Sequence, residues 1–430
     1  MRDFVSSSKK IYDPVHSFIK FDDFERELID SFIFQRLHHI RQLGVTYLVY
    51  PGATQSRFEH SLGVMEIASR IFDQICKECR PDVFHYVPRK GSAEYIYWKE
   101  ILRMAALCHD LGHLPFSHAA EADLLGPEGH EEMTLKIIES DMLKTVWNKL
   151  KEKLGFQKIF SDRNFIDDIT KVAIGECKLQ ELRPNRYPFS HWEKIVAECI
   201  SGDFFGADRI DYLLRDARST GIAYGLFDYN QLIESLRILP SKEKDELELG
   251  INESGIEACE ALVLARHFMR KRVYMHPSVK AFTFHVRRFM KGLYSKEALL
   301  SLDYFASQTD ASVICALYKA AKDNQHSGYS DAIKLLSRSN PLKAICLSGC
   351  DKKSILEDFK TKQGLSNEQI AWEVKESEGP GTSFSVAREH LHIQPISECS
   401  SLLKTIPALG ETWVYISSEY EALLLQTVNN

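Results

Sequence analysis

The densest run of histidines in the chain reads His109-Asp110-Leu-Gly-His113-Leu-Pro-Phe-Ser-His118. His109 continues the apolar helical stripe of Leu102 and Ala105, so its imidazole should point into a helix bundle. Asp110 follows directly, and Gly112 is expected to end the helix there. Adjacent helical side chains diverge by about 100°. Both can still reach one ion at the edge of their shared face, and a neutral imidazole with a carboxylate suits a divalent cation. His60 lies in QSRFEHSLGVMEIA, where Ser56 and Glu59 form a capping box that puts Arg57 and His60 in the first helical turn. His60 stands one turn before Val64 and two before Ile67, so it too faces inward. Asp208, Tyr212 and Asp216 are spaced i, i+4, i+8 and share a helix face. A lone inward histidine is more often a satisfied core residue, and a lone Asp208 more often a solvated helix edge. Several such groups buried unpaired would cost a few kcal/mol each, however, and a shared metal removes that cost. The set His60, His109, Asp110 and Asp208 therefore reads as a His2Asp2 site. That donor set suits manganese, magnesium, iron or zinc.

The elements that must hold these residues are helical. Ile67, Ala68, Ile71, Phe72 and Ile75 recur at helical spacing, as do Trp98, Ile101, Leu102 and Ala105, and DRIDYLLRDARST runs to a stop at Gly221. LRILP and ELELGIN, around the charged SKEKDE, read as a hairpin, expected to be the one hairpin of this half. After Cys350 the texture changes: WEVKE and TWVYISS read as strands and SEGPGTS as a loop. The expected fold is mainly α, a helical bundle over residues 1–295, followed by a smaller α+β portion over 296–430.

Composition narrows the function classes. The 430 residues are 44% hydrophobic and 27% charged, which excludes a disordered chain. No run of about 18 apolar residues predicts a membrane span, and the N-terminus lacks a secretory h-region. Ten scattered cysteines suggest no disulfide framework and a cytoplasmic setting. A net charge of −6 argues against nucleic acid as a partner and requires that any anionic substrate meet locally gathered cations. One such gathering, Ala261 to Lys296, contains nine Lys or Arg and no acid. Most of it is expected to be a solvated helix face.

The four-part H…HD…D pattern resembles the signature of the HD-domain superfamily of metal-dependent phosphohydrolases. The likeness extends to DPVH (13–16), FQRLHHIRQLG (34–44), PGATQSRFEHSLGV (51–64), CHDLGHLPFSH (108–118), DRIDYLLRD (208–216) and RKRVYMH (270–276), in the order found in HD-domain deoxynucleoside triphosphate triphosphohydrolases (dNTPases). It covers roughly residues 9–345. The resemblance implies that His60, His109, Asp110 and Asp208 bind metal, and that a dNTP is split at the α-phosphorus into deoxynucleoside and inorganic triphosphate. It implies His118 paired with Glu121 as the proton donor to the 5′-oxygen, with Glu121 standing where relatives have Asp. His113 and His130 match residues that contact the phosphates and the leaving oxygen. Arg57, Arg209 and Arg266 match triphosphate contacts. Gln42, Tyr212 and Asp216 match residues on the deoxyribose, and Tyr274 matches a tyrosine filling the place of a ribose 2′-hydroxyl. Met275 stands where relatives have Gln.

Asp30, Gln35 and Lys9 resemble an activating-nucleotide site between subunits, and a homodimer or homotetramer is the implied assembly. His38 and Tyr12 depart from that pattern. Two other functions fit an HD centre less well. One is a phosphodiesterase or nuclease on another nucleotide or nucleic-acid end, and the other is a nucleotide-sensing binding protein. The sugar-side residues favour a mononucleotide over the first, and the complete set of metal and acid groups argues against the second.

Overall fold

A computed structural model describes residues 9–155, 163–241, 246–348, 352–378, 384–388, 392–405 and 409–429. The chain is mainly helical, with small sheets concentrated in its C-terminal part. Three helices carry the motif residues. The Arg57–Lys77 helix starts where expected: the Ser56 N–H donates to Glu59 Oε1 at 2.7 Å, closing the capping box. It packs against the Ala93–Cys108 and Ala207–Thr220 helices. Gly63 makes the second of these contacts close, because a Cβ there would stand 1.9 Å from Asp211 Oδ1. The Ala207–Thr220 helix ends at Gly221 in the left-handed conformation, φ 74°, as its sequence suggests.

The Ala93–Cys108 helix ends earlier than Gly112, with His109 itself as its C-cap. Gly112 serves a different purpose. A Cβ there would lie 2.1 Å from the His130 carbonyl, so the glycine lets the Gly129–Glu139 helix approach the His109–His118 turn.

The hairpin expected at 236–253 is present as antiparallel β3 (Leu236–Pro240) and β4 (Leu247–Asn252), but it is not alone in this half. Strands β1 (Lys9–Asp13) and β2 (Ser17–Phe21) form another around the DPVH turn. Its five-residue strands leave little periodicity to read, and only Ile19 and Phe21 of β2 are buried apolar residues. Further on, β5 (Lys343–Ser348), β6 (Ile370–Glu378), β7 (Ser385–Ala387), β8 (Ile393–Pro395) and β9 (Leu409–Ile416) complete the strands. WEVKE and TWVYI fall in β6 and β9, which pair antiparallel in a sheet ordered β5-β9-β6. Strand β4 also pairs in parallel with β7, so the first hairpin is extended by chain from the C-terminal part. The loop read at SEGPGTS falls mostly on 379–383, outside the described residues.

One large apolar core joins Leu62, Ile67, Ile101, Leu102, Ile210 and Leu213 around the three helices. The basic run at 261–296 is divided: Lys271, Arg272, Lys291 and Lys296 are exposed, and several of its cations meet acids. Lys280 and Arg287 pair with Glu373 of β6, Arg288 with Asp331 at 3.3 Å, and Lys291 with Asp123 at 3.0 Å.

Candidate metal and catalytic site

His60, His109, Asp110 and Asp208 meet at one point. His60 Nε2 lies 2.9 Å from Asp208 Oδ1 and 3.6 Å from Asp110 Oδ2. His109 Nε2 lies 3.4 Å from Asp110 Oδ1 and 3.8 Å from Asp208 Oδ1. The two rings stand 5.4 Å apart, edge to face. His60 is fully buried, whereas the Asp208 side chain keeps 41% of its exposure, so the cluster opens on the Asp208 side.

Each imidazole is oriented by its other nitrogen. His109 Nδ1 donates to the Ala106 carbonyl at 2.7 Å, which turns the Nε2 lone pair inward. That Nε2 is buried and makes no hydrogen bond. His60 Nδ1 faces Asp211 Oδ2 at 2.7 Å. Burial alone would lower the His60 pKa, but the Asp208 and Asp211 carboxylates outweigh it and raise it to about 10. Burial opposes ionisation of Asp110, yet Arg57, His109 and His113 hold its carboxyl well below the usual range. Two imidazole nitrogens aimed at two ionised carboxylates, one nitrogen buried and unsatisfied, fit a divalent cation.

His113, His118, Glu121 and His130 lie beside this cluster, and His113 touches it at Asp110. His113 Nε2 is 3.1 Å from Asp110 Oδ1, and its Nδ1 is 3.9 Å from Glu121 Oε2. Glu121 takes His118 Nδ1 on one oxygen and His130 Nδ1 on the other, both at 2.6 Å. Burial opposes ionisation of Glu121, but these two hydrogen bonds keep its carboxyl far below its ordinary value. For His130, burial pulls down and Glu121 pulls up, and the net is upward. For His113, burial, Arg57 and His130 all press downward, so its ring is neutral. The His118 ring is 65% exposed and offers its remaining nitrogen outward. The turn that presents it is strained: Phe116 and Ser117 both have left-handed φ, 57° and 56°. Such residues cost about 1–3 kcal/mol each and persist where surrounding contacts enforce them.

On the far side, Tyr274 donates its hydroxyl to Asp216 Oδ2 at 2.8 Å, and the Gln55 amide donates to Oδ1 at 2.9 Å. Burial lifts the Asp216 carboxyl to about 6 against the pull of these two donors. The Tyr212 and Tyr274 rings stand 6.2 Å apart at 73°. Gln42 Oε1 is buried and accepts nothing from the described residues. Burial raises the Tyr212 pKa, while Arg209 and Arg266 act on it in the opposite sense, so both cations stand near this face. Arg57 is placed differently from a free phosphate-binding group. It is buried, pairs with Asp110, and donates Nε to Ser117 Oγ at 2.8 Å.

Several groups at the site carry no assignment from the sequence. Asp211 is fully buried and holds His60, His16 and Arg215 at once. Arg215 in turn reaches Asp13 at 2.8 Å, so the β1–β2 turn locks the back of the cluster. The quoted DPVH and DRIDYLLRD segments contain all four residues. The one signal available was the i, i+4 spacing of Asp211 and Arg215.

Comparison with known proteins matches residues 57–155 to the HD domain and residues 227–379 to the HD associated region. An uncharacterised protein of Methanocaldococcus jannaschii is 32% identical over 373 residues, 85% of this chain and 68% of that one. The chain belongs to the HD-domain family. An HD-domain protein is metal-dependent, and the described residues offer two groups able to hold an ion, His60–His109–Asp208 and His113–His118–Glu121–His130. The crystal structure of a hypothetical protein from Aquifex aeolicus matches this HD-domain chain with a TM-score of 0.75 at 29% identity. The match covers 98% of this chain and all of that one. The deoxynucleoside triphosphate triphosphohydrolase SAMHD1 of Gallus gallus is 31% identical over 281 residues, 62% of this chain and 42% of that enzyme. The chain thus spans less than half the length of this avian relative. No helix among the described residues is long and apolar enough to cross a membrane.

Proposed function

We propose that this HD-domain protein is a phosphohydrolase that splits dNTPs into deoxynucleoside and inorganic triphosphate. The observation that carries the reading is the joining of three groups of residues. His113 touches the His60–His109–Asp110–Asp208 cluster at Asp110, 3.1 Å away, and stacks on His130 of the His118–Glu121–His130 set at 3.8 Å. The Tyr274–Asp216 pair stands two helical turns along from Asp208. When bound, a divalent cation supplies Lewis-acid polarisation of a phosphoryl oxygen and a water of lowered pKa.

The chain's own residues do the rest. His118, with Nδ1 held by Glu121, donates a proton from its exposed nitrogen to the departing 5′-oxygen, and Glu121 steadies the ring in the orientation this requires. Arg209 and Arg266 offset triphosphate charge, which a carboxylate-lined site could not hold alone. Arg57 acts from behind, fixing Asp110 and the Ser117 turn. Asp216 accepts from the 3′-hydroxyl, whose oxygen the Gln42 amide N–H can donate to, and Tyr274 fills the space of a 2′-hydroxyl.

The protein works as a homodimer or homotetramer in a reducing cytoplasm. Nine free cysteines among the described residues support that setting. Asp30 pairs with Arg26, and the Gln35 amide donates to the Ile29 carbonyl, so an activating nucleotide between subunits would have to displace both contacts.

Anion-exchange analysis of products from all four dNTPs and GTP, with and without manganese, tests the reading. Triphosphate and deoxynucleoside are expected only with metal. Release of phosphate or diphosphate instead, as from a phosphodiesterase or a nucleotidase, rejects it.

A further inference from the structure

His113 is buried, and its two ring nitrogens meet different surroundings. Nε2 lies 3.1 Å from Asp110 Oδ1, so the hydrogen of the neutral ring sits there and the lone pair is left on Nδ1. That Nδ1 is buried and has no hydrogen-bond partner among the described residues. It faces Glu121 Oε2 at 3.9 Å, a lone pair aimed at a carboxylate with no donor between them. The same carboxylate holds His118 Nδ1 and His130 Nδ1, each at 2.6 Å. One ligand atom from each of these four residues lies within 4.8 Å of the others. Zinc–nitrogen bonds of about 2.0–2.1 Å place neighbouring donors of a tetrahedral ion about 3.3 Å apart. The separations of 2.6 Å and 3.9 Å around Glu121 bracket that spacing. Gly129 leaves the room: its φ is 66°, and a Cβ there would stand 2.8 Å from Glu121 Oε1.

We propose that His113, His118, Glu121 and His130 form a second metal site, which takes zinc and, when filled, switches off the proton donor. Three imidazoles and one carboxylate make a nitrogen-rich set of the kind zinc prefers, whereas a carboxylate-rich set suits manganese or magnesium. The His60–His109–Asp110–Asp208 cluster has two of each, so the two sites can hold different ions. A ligating histidine commonly donates its other ring N–H to a carboxylate, which fixes the ring and raises its basicity. Asp110 does this for His113 while belonging to the first cluster, so the two sites share one carboxylate. The His118 ring, 65% exposed, leaves the second site open to an ion from solvent. The switch rests on the dNTP reading above, in which His118 gives its proton to the departing 5′-oxygen. Zinc on Nδ1 takes the place of the hydrogen shared with Glu121, and that proton leaves to solvent. A zinc-bound imidazole keeps one N–H, too weak an acid to protonate the leaving oxygen, and Glu121 is no longer free to support the ring.

The test uses the full chain, stripped with chelator, reloaded with manganese and then dialysed against zinc with manganese kept in excess. Bound metals are counted, and the melting temperature of each variant is recorded. With manganese alone, one ion per chain should bind, at the first site. Added zinc should bring one zinc per chain while the manganese stays. His130→Ala should keep the manganese and refuse the zinc, and His109→Ala should lose the manganese and still take zinc. If His130→Ala does not fold, His118→Asn, whose side chain is largely exposed, replaces it with the same expectation. Three results overturn the second site: no zinc bound, zinc that only replaces manganese one for one, or a folded His130→Ala or His118→Asn that takes the wild-type amount. For the switch, dATP turnover by the manganese form should fall at least about tenfold as zinc binds, with manganese retained. Full turnover with both ions bound overturns it. A manganese form that hydrolyses no dNTP rejects the dNTP reading and the switch together, while the zinc count still decides the site.

Discussion

Asp211 makes no expected contact with metal or substrate, yet it holds three side chains behind the centre. It takes His60 Nδ1 at 2.7 Å, His16 Nε2 at 2.6 Å and the Arg215 guanidinium through both oxygens. A carboxylate behind a ligating histidine fixes its tautomer and raises its basicity, and losing one typically costs about 10–100-fold in metal affinity. Asp211→Asn should therefore bind metal about 10–100-fold more weakly in equilibrium dialysis while keeping its helical circular dichroism. An affinity within threefold of wild type would remove this role. His118 tests the other half of the centre. Loaded with manganese, His118→Asn should retain full metal content and lose about 10²–10⁴-fold in turnover, since only the leaving-group proton is withdrawn. Residual activity within threefold of wild type rejects His118 as the acid. The residues of the two clusters could be picked out in the sequence because each falls in a compact motif, and the structure brings them together. The role of Asp211 could not, because its partners His16 and His60 lie 195 and 151 residues away and only tertiary packing brings them together.

At the scale of elements, helix starts were easier to read than helix ends or close approaches. Ser56 and Glu59 mark a start through local chemistry. The role of Gly112 depends on the Gly129–Glu139 helix packed against it, and the π-turn at Arg270–Tyr274 has no local signal. That turn ends on Tyr274 and delivers its hydroxyl to Asp216.

The His191–Ser201 helix carries a testable consequence of packing. Glu198 sits among Glu176, Asp203 and Glu248, with Lys194 one turn away, and accepts the Leu249 N–H at 3.1 Å. Burial, reinforced by the neighbouring acids, lifts its carboxyl to about 7 from an ordinary 4.5. The folded state thus holds the proton more tightly than the unfolded chain. The resulting stability is complete below pH 4.5, falls as pH rises, and is gone above about pH 7. Glu198→Gln keeps the acceptor and cannot ionise. Relative to wild type it should gain about 1–3 kcal/mol between pH 5 and pH 8, a range set by the size of the shift and reduced by partial solvent access. Urea unfolding at the two pH values measures it. An equal difference at both would show that Glu198 does not titrate in this window.

For the whole molecule, both histidine–carboxylate clusters form within one chain, so assembly must be argued from its surface. The N-terminal region exposes three large aromatic side chains: Tyr12 at 68%, Phe18 at 52% and Phe32 at 70%. Single exposed apolar residues are ordinary and need no partner. These three differ in position. Tyr12 and Phe18 stack edge to face at 5.1 Å on opposite strands of the β1–β2 hairpin, and Phe32 opens the short helix containing Gln35. Among the described residues the hairpin has just two strands and neither edge pairs with a further strand, so an edge can be covered by a second copy. The turn beside Tyr12 and Phe18 is anchored to the His60 cluster by Asp13 through Arg215, which ties an interface there to the geometry at His60. Sedimentation equilibrium at micromolar concentration should show wild type as a dimer or tetramer. The triple variant Tyr12→Ser, Phe18→Ser, Phe32→Ser should shift toward monomer with an unchanged melting temperature when extrapolated to low concentration, because all three side chains are largely exposed in the single chain. A wild-type monomer under these conditions removes the oligomer from the reading. A variant that remains fully assembled moves the interface elsewhere, away from the hairpin and its link to Asp211.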